Sequence, residues 1–194
     1  MSELIAYESL TATPWKNGGG STTEIAVAPP GAGFDDFDWR ISLATITQSG
    51  PFSVFPGIDR SLALVDGPGV TLDIDGVRRV ALGEDHPLVE FCGEAEVQAS
   101  VGEGATTDFN VMTRRGRCRH KLERRTVRGG ARLERHGSLT VLFVADGDEL
   151  AVFNDAERVT LVRYDALLIE SGTHWMLEAC QATVIVVEIF ENRD

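Results

Sequence analysis

The sequence is poor in several features that would assign a protein to a specialised class. No run of about 18 apolar residues occurs, so no segment is expected to cross a bilayer as a helix. The opening residues MSEL lack a basic stretch followed by an apolar core, so we expect no signal peptide. Cys92, Cys118 and Cys180 lie far apart without a CxxC pair, which argues against a disulfide framework and against a zinc–thiolate site. These absences predict a cytoplasmic protein with reduced thiols.

Signatures of metal sites and nucleophiles are also missing. The four histidines, His86, His120, His136 and His174, have neither HxH nor HExxH spacing, so only a cluster formed in three dimensions would make a metal site of them. No serine stands in a GxSxG elbow, and no cysteine has an evident catalytic partner. The sequence therefore predicts no metal and no other cofactor.

Positive charge is in deficit. The chain has 18 Lys and Arg against 30 Asp and Glu, a formal net charge of -12 at pH 7. Such a chain repels nucleic acid and anionic membranes, so we expect neither as a partner. Its basic residues concentrate between Arg114 and Arg135 without interleaved aromatic residues. The alternation in this segment favours a solvated strand face, or salt bridges between the subunits of a homodimer.

Short β-strands separated by turns dominate what the sequence does contain. Its 20 glycines and 7 prolines fall mostly between short apolar runs. Residues 70–74 and 77–80 flank an Asp-Gly dipeptide, a spacing typical of a β-hairpin. Residues 139–144 and 183–190 have the composition of buried strands, whereas helical periodicity is weak throughout. This pattern predicts an all-β sandwich or barrel with little helix.

Four polar motifs stand out within the first 115 residues. They are WKNGGGSTTEI at 15–25, FDWRISLA at 37–44, GPFSVFPGIDR at 50–60 and DFNVMTRR at 108–115. The three glycines allow a tight turn that aims Asn17 and Glu24, and they lack the GxxxxGK[ST] spacing of a phosphate loop. On a strand, Arg40 and Ser42 share one face, a pattern that also fits an exposed arginine on a half-buried strand.

In this order and spacing, the four motifs resemble the HutD/Ves family over about residues 10–115. The resemblance implies a bicupin fold, two fused cupin-like β-barrels of the double-stranded β-helix type, with the principal pocket in the N-terminal half. We therefore expect halves at 1–115 and 116–194, packed as one compact unit. HutD proteins are associated with histidine utilisation and are thought to sense or buffer a pathway intermediate. Ves proteins are linked to stress or cold responses.

The resemblance favours a protein that binds a small anionic metabolite, with urocanate or formylglutamate-like acids as the implied ligands. Arginine can form bidentate hydrogen bonds to a carboxylate, while amide, hydroxyl and phenyl groups complete such a pocket. The residues expected to contact the ligand are Asn17, Glu24, Arg40, Ser42, Phe52, Ser53, Arg60, Phe109 and Asn110.

Two other functions stay open at this point. A metal-free isomerase or hydrolase would use Glu24 or Asp108 as its base, although an ion pair of Glu24 with a nearby arginine is the simpler interpretation. A non-catalytic bicupin would instead bind a partner protein through the basic segment. The sequence favours a binding protein over an enzyme.

Overall fold

β-strands make up nearly all of the regular structure in the computed structural model, which describes residues 1–192. Within these residues the helical structure is one 3-10 turn, at Tyr7–Ser9. The strands are β1 (Ser2–Ile5), β2 (Ala12–Pro14), β3 (Gly20–Ala28), β4 (Trp39–Ile46), β5 (Gly50–Pro51), β6 (Ile58–Asp66), β7 (Val70–Ile74), β8 (Arg78–Leu82), β9 (Leu88–Cys92), β10 (Val97–Val101), β11 (Thr106–Arg114), β12 (Cys118–Glu134), β13 (Leu139–Gly147), β14 (Leu150–Phe153), β15 (Arg158–Leu161), β16 (Ala166–Ile169) and β17 (His174–Glu191). The prediction of an all-β fold with little helix is confirmed.

Residues Thr11–Cys118 form one compact unit, called here the N-terminal unit, which contains two sheets. One sheet has the strand order β2-β3-β4-β11-β6-β9 and the other β5-β10-β7-β8, and their strand pairs are antiparallel. Strands β7 and β8 form the predicted hairpin. Asp75 and Gly76 at its tip both have positive φ, as a tight two-residue turn requires.

An apolar core fills the N-terminal unit. It contains Leu62 and Leu64 of β6, Leu72 of β7, Leu82 of β8 and Val97 of β10, all buried. Each such side chain contributes roughly 1.5–3 kcal/mol through removal of its apolar surface from water.

The central strands β4 and β11 have two chemically distinct faces, because side chains alternate along a strand. Ile41 and Leu43 of β4 and Phe109 and Val111 of β11 are buried on one face. The polar residues of the motifs occupy the alternating positions and therefore share the opposite face.

The second compact unit, called here the C-terminal unit, contains residues 1–10 and the chain from Arg119 onward. Its sheet has the order β1-β16-β13-β17-β14-β15, and β12 pairs with β17. Its core includes Leu142, Val152, Leu167 and Trp175. The chain start joins this unit because β1 pairs with β16, whereas the division at 115/116 stays a prediction.

In the described part of the chain, no helix has the length and apolar character needed to cross a membrane.

Candidate functional site

A cavity of about 790 Å³ opens on the polar face of the six-stranded sheet of the N-terminal unit. Alternate residues of β3, β4, β11 and β6 form its wall, together with the loops after β2 and β5. The strand register places Ser42 of β4 opposite Asn110 of β11, and it sets Met112 between Arg40 and Arg60. Residues from distant motifs therefore meet in one wall.

Nearly all of the residues predicted from the sequence to bind the ligand line this cavity. Asp108, proposed as a base, lines it as well. Phe109 does not belong to the wall, because it alternates with Asp108 and Asn110 and is buried on the opposite face of β11. The nominated residues that do line the cavity are Asn17, Glu24, Arg40, Ser42, Phe52, Ser53, Arg60 and Asn110. Their contact with a ligand stays a prediction.

Arg60 is the most buried arginine of the cavity wall, with 8% of its surface exposed. Three phenyl rings surround its guanidinium: Cζ lies 5.5 Å from the ring centroids of both Phe52 and Phe55, and 5.0 Å from that of Phe91. At these distances each ring attracts the cation and also keeps water away from it. Burial lowers the pKa of Arg60 to about 10, so the side chain is still cationic at neutral pH.

The hydrogen bonds of Arg60 leave its charge uncompensated. Nη1 donates to the backbone oxygen of Ser53 at 3.4 Å, and Nη2 donates to Oδ1 of Asn110 at 3.5 Å, both long for such bonds. Nε is buried without a hydrogen-bond partner. Among the described residues no carboxylate pairs with this guanidinium, although an unpaired buried charge is costly.

Arg40 differs from Arg60 because it already has a counter-charge. Its Nε donates to Oε2 of Glu24 at 2.7 Å. The register of β3 and β4 places Glu24 opposite Ser42. Because Ser42 is next to Arg40 on this face of β4, the Glu24 carboxylate and the Arg40 guanidinium come together. Arg40 also lies 4.5 Å from the ring centroid of Phe34. The expected structural ion pair of Glu24 is present, and it lies within the cavity wall.

Asp108 is a second buried ionisable group of the wall without a partner. The residue is 0% exposed, and neither carboxylate oxygen has a hydrogen-bond partner. Its register partners are Ala44 on β4 and Leu64 on β6, and neither side chain can donate a hydrogen bond. Burial therefore raises the pKa of Asp108 to about 7.

The glycine-rich motif forms a tight turn rather than an anion-binding loop. The backbone N–H of Gly18 donates to the oxygen of Trp15 at 3.0 Å, and that of Gly19 donates to Oδ1 of Asn17 at 3.0 Å. A Cβ at Gly20 would overlap the backbone oxygen of Thr45 and crowd the ring of Trp15. The turn thus holds the loop before β3 against the start of the cavity wall.

Several aromatic residues of the site were not predicted from the sequence. Trp15 and Phe34 line the cavity, and Phe91 packs on Arg60 from β9. Trp15 belongs to the first polar motif, WKNGGGSTTEI, but was not among the predicted ligand-binding residues. Phe34 lies in the segment GAGFDDFDW, where a phenylalanine between glycines and aspartates, a composition typical of a loop, was the available signal.

The side chains that could coordinate a metal ion do not cluster in the described structure. No group of three or more His, Cys, Asp and Glu side chains that could hold a metal comes together within residues 1–192. None of the four histidines belongs to the described cavity wall. The donor set of a histidine-based metal site therefore does not fit this cavity, and the absence of a bound metal stays a prediction.

The chain is similar in sequence to curated bacterial proteins. Over 191 residues the chain is 33% identical to an uncharacterised 21.2 kDa protein in the hutC 3′ region of Pseudomonas putida, covering 98% of each sequence. It is 40% identical over 121 residues to protein Ves of Cronobacter sakazakii, covering 62% of this chain and 65% of Ves. The match therefore spans less than two thirds of Ves.

Solved structures show the same architecture. The chain matches a conserved protein of unknown function from Pseudomonas aeruginosa PAO1 with a TM-score of 0.90 and 32% identity, over 98% of this chain and 99% of that one. It matches HutD from Pseudomonas fluorescens SBW25 with a TM-score of 0.84 and 27% identity, over the full length of both.

More distant structures identify the fold. Protein Ylba of Escherichia coli has a TM-score of 0.72 at 13% identity, covering 100% of this chain and 92% of that one, a likeness in fold alone. Its cupin fold confirms the bicupin prediction. The family model described as HutD matches residues 7–187, which is most of the sequence. The chain belongs to the HutD family.

Proposed function

We propose that this protein binds a small carboxylic acid in the cavity of its N-terminal unit and thereby senses or buffers an intermediate of histidine utilisation. The observation that carries the proposal is the environment of Arg60. A buried guanidinium with a free Nε and no carboxylate partner is complementary to a ligand carboxylate.

The rest of the wall supports a ligand of this kind. Ser42 and Asn110 offer neutral hydrogen bonds beside Arg60, and Phe52 and Phe55 supply an apolar surface for a flat or aliphatic body. An acid bound there would offset the cost of the buried cation, so binding should stabilise the folded protein by mass action.

The relatives' names indicate which acids to try first. One relative is named for the hutC region and one structural neighbour is named HutD. Urocanate and N-formylglutamate are therefore the first ligands, with the uncharged amide of urocanate as the matched control compound.

The test is isothermal titration calorimetry on the purified protein and on Arg60→Ala. Losing a charge-assisted contact should weaken binding of the best acid by roughly 1.5–3 kcal/mol, about tenfold to a hundredfold. Arg60→Lys should not restore affinity, because an ammonium group cannot form the planar fork. Arg79→Ala is the matched control, since Arg79 is exposed on β8 and lies outside the cavity wall. An Arg60→Ala protein that folds and binds as tightly as the parent would refute the assignment.

Arg40 provides an internal comparison. Because Glu24 already neutralises its charge, Arg40→Ala should weaken binding by less than about fivefold, the scale of a partly exposed ion pair. An effect as large as that of Arg60→Ala would show that Arg40 turns away from Glu24 to meet the ligand.

A metal-free enzyme acting on the same acid is the second candidate, and one observation favours it. Burial raises the pKa of Asp108 to about 7, in the range suited to a general base. Proton NMR of each acid incubated with the protein separates the two functions: a new product signal that is lost in Asp108→Asn supports catalysis, and an unchanged spectrum supports binding alone.

A further inference from the structure

We propose that the cavity selects acids by both ends, with Arg60 holding the carboxylate and Asp108 accepting a hydrogen bond from an N–H group at the other end. This inference rests on the proposed function and narrows its ligand class to acids that carry a nitrogen-bound hydrogen.

The strand geometry sets the distance between the two ends. The guanidinium of Arg60 reaches along the wall to Asn110, where Nη2 and Oδ1 are 3.5 Å apart. Asp108 is the next residue on the same face of β11, two positions away, which corresponds to roughly 7 Å along an antiparallel strand. A ligand of about the length of a five-membered ring joined to an acrylate spans this interval.

The chemistry of Asp108 sets the kind of group it can accept. Its two oxygens lie buried without a donor, and a desolvated acceptor without a partner destabilises the protein. Its register partners on both flanking strands are apolar, so the protein supplies no donor from there. A ligand N–H would remove this cost, whereas a second carboxylate would add a like charge in a desolvated place.

The other charged groups of the cavity do not replace Asp108 in this role. Glu24 is engaged by Arg40 through the 2.7 Å ion pair, and it is nearly half exposed. Lys16 lines the cavity as an exposed residue and can only donate. Asp108 is thus the carboxylate of the described cavity wall whose oxygens have no partner within the protein.

Two matched acids test the proposal. In trans-3-(pyrrol-3-yl)acrylate and trans-3-(furan-3-yl)acrylate, the carboxylate and ring size are the same, and the ring N–H of the first is an oxygen in the second. The parent protein should bind the pyrrole acid about tenfold to a hundredfold more tightly by calorimetry, the range for one hydrogen bond to a charged group. Equal affinities would overturn the inference while leaving the binding function intact.

Substitution of Asp108 assigns the preference to this residue. Leucine has similar bulk to aspartate and no acceptor, so the Asp108→Leu variant should bind the two acids with affinities within about threefold of each other. The Arg60→Ala variant should bind both acids more weakly than the parent does. Asp108→Asn, which keeps one acceptor oxygen, should show an intermediate preference and serves if the leucine variant does not fold.

An undiminished preference for the pyrrole acid in the folded variants would overturn the role of Asp108. If neither acid binds the parent, or if Arg60→Ala binds both normally, the proposed function itself fails.

Discussion

At the scale of single residues, the cavity is defined by two buried ionisable groups that have no partner of opposite charge. Arg60 and Asp108 lie on adjacent strands of one wall, and Asn110 lies between them. Burial acts on both in the direction of neutrality, lowering the pKa of Arg60 and raising that of Asp108. Folded proteins tolerate such groups at a cost in stability, and binding sites are where the cost is commonly found.

The buried carboxyl of Asp108 predicts a specific dependence of stability on pH. Its pKa is about 7 in the folded state and close to 4 in an unfolded chain, so the folded state binds more protons between these values. The free energy of unfolding should therefore fall as the pH rises from about 4 to about 7, by up to roughly 4 kcal/mol from this group. Urea denaturation at pH 5 and pH 8 should show about 3 kcal/mol of this loss in the parent and none of it in Asp108→Asn.

The control for this measurement is Glu103→Gln, which removes an exposed carboxyl from the same unit. Its pH profile should parallel that of the parent. If the Asp108→Asn profile also runs parallel to the parent, Asp108 does not titrate with a raised pKa.

At the scale of elements, the cavity depends on how β3 is connected and paired. A register shift between Glu24 and Ala26 places one additional residue, Ile25, in β3 opposite β4. Glu24 consequently faces the cavity beside Arg40, and the strand continues with its pattern shifted by one residue. The glycine turn before β3 fixes where the strand begins, so the turn and the bulge together aim the polar side chains.

Gly20 is the position at which this element should be most sensitive. A Cβ there would overlap the backbone oxygen of Thr45, which cannot move without disturbing β4. We expect Gly20→Ala to cost about 1–3 kcal/mol in unfolding free energy and to lower affinity for the acid. Gly102→Ala, where the added Cβ meets open space, should be nearly neutral. Equal melting temperatures for the two variants would contradict the close approach.

At the scale of the whole molecule, the protein combines a cupin fold with a cavity wall in which no histidine takes part among the described residues. The polar groups of that wall are guanidinium, carboxyl, amide and hydroxyl groups, which suit recognition of an organic acid by hydrogen bonds. The formal net charge of -12 disfavours long-range attraction of an anion. Affinity must then come from contacts inside the cavity.

Metal independence is the corresponding prediction. Because no group of three or more suitable ligands comes together within residues 1–192, acid binding should survive dialysis against a strong chelator with affinity unchanged within about twofold. Elemental analysis of the purified protein should find substoichiometric metal. Stoichiometric metal that is lost together with binding would overturn the prediction.

Local chemistry explains what the sequence by itself determined. Turn dipeptides such as Asp75-Gly76 and strand composition depend on neighbouring residues, so the all-β class and the β7–β8 hairpin could be predicted. Alternation along β4 placed Arg40 and Ser42 on one face before any partner strand was known. The same alternation places Phe109 and Asn110 on opposite faces of β11. The prediction that both residues line the pocket was therefore inconsistent with this rule.

Only the tertiary structure decided which charges are paired. Arg40 and Arg60 look equivalent in the sequence, yet the register of β3 brings Glu24 to Arg40. Arg60 is instead enclosed by Phe52 and Phe55 of the loop after β5 and by Phe91 of β9. The isolation of Asp108 likewise depends on Ala44 and Leu64, which are distant in sequence. Burial and pairing arise from contacts between strands far apart in the chain, and these contacts set the free energies on which a binding site depends.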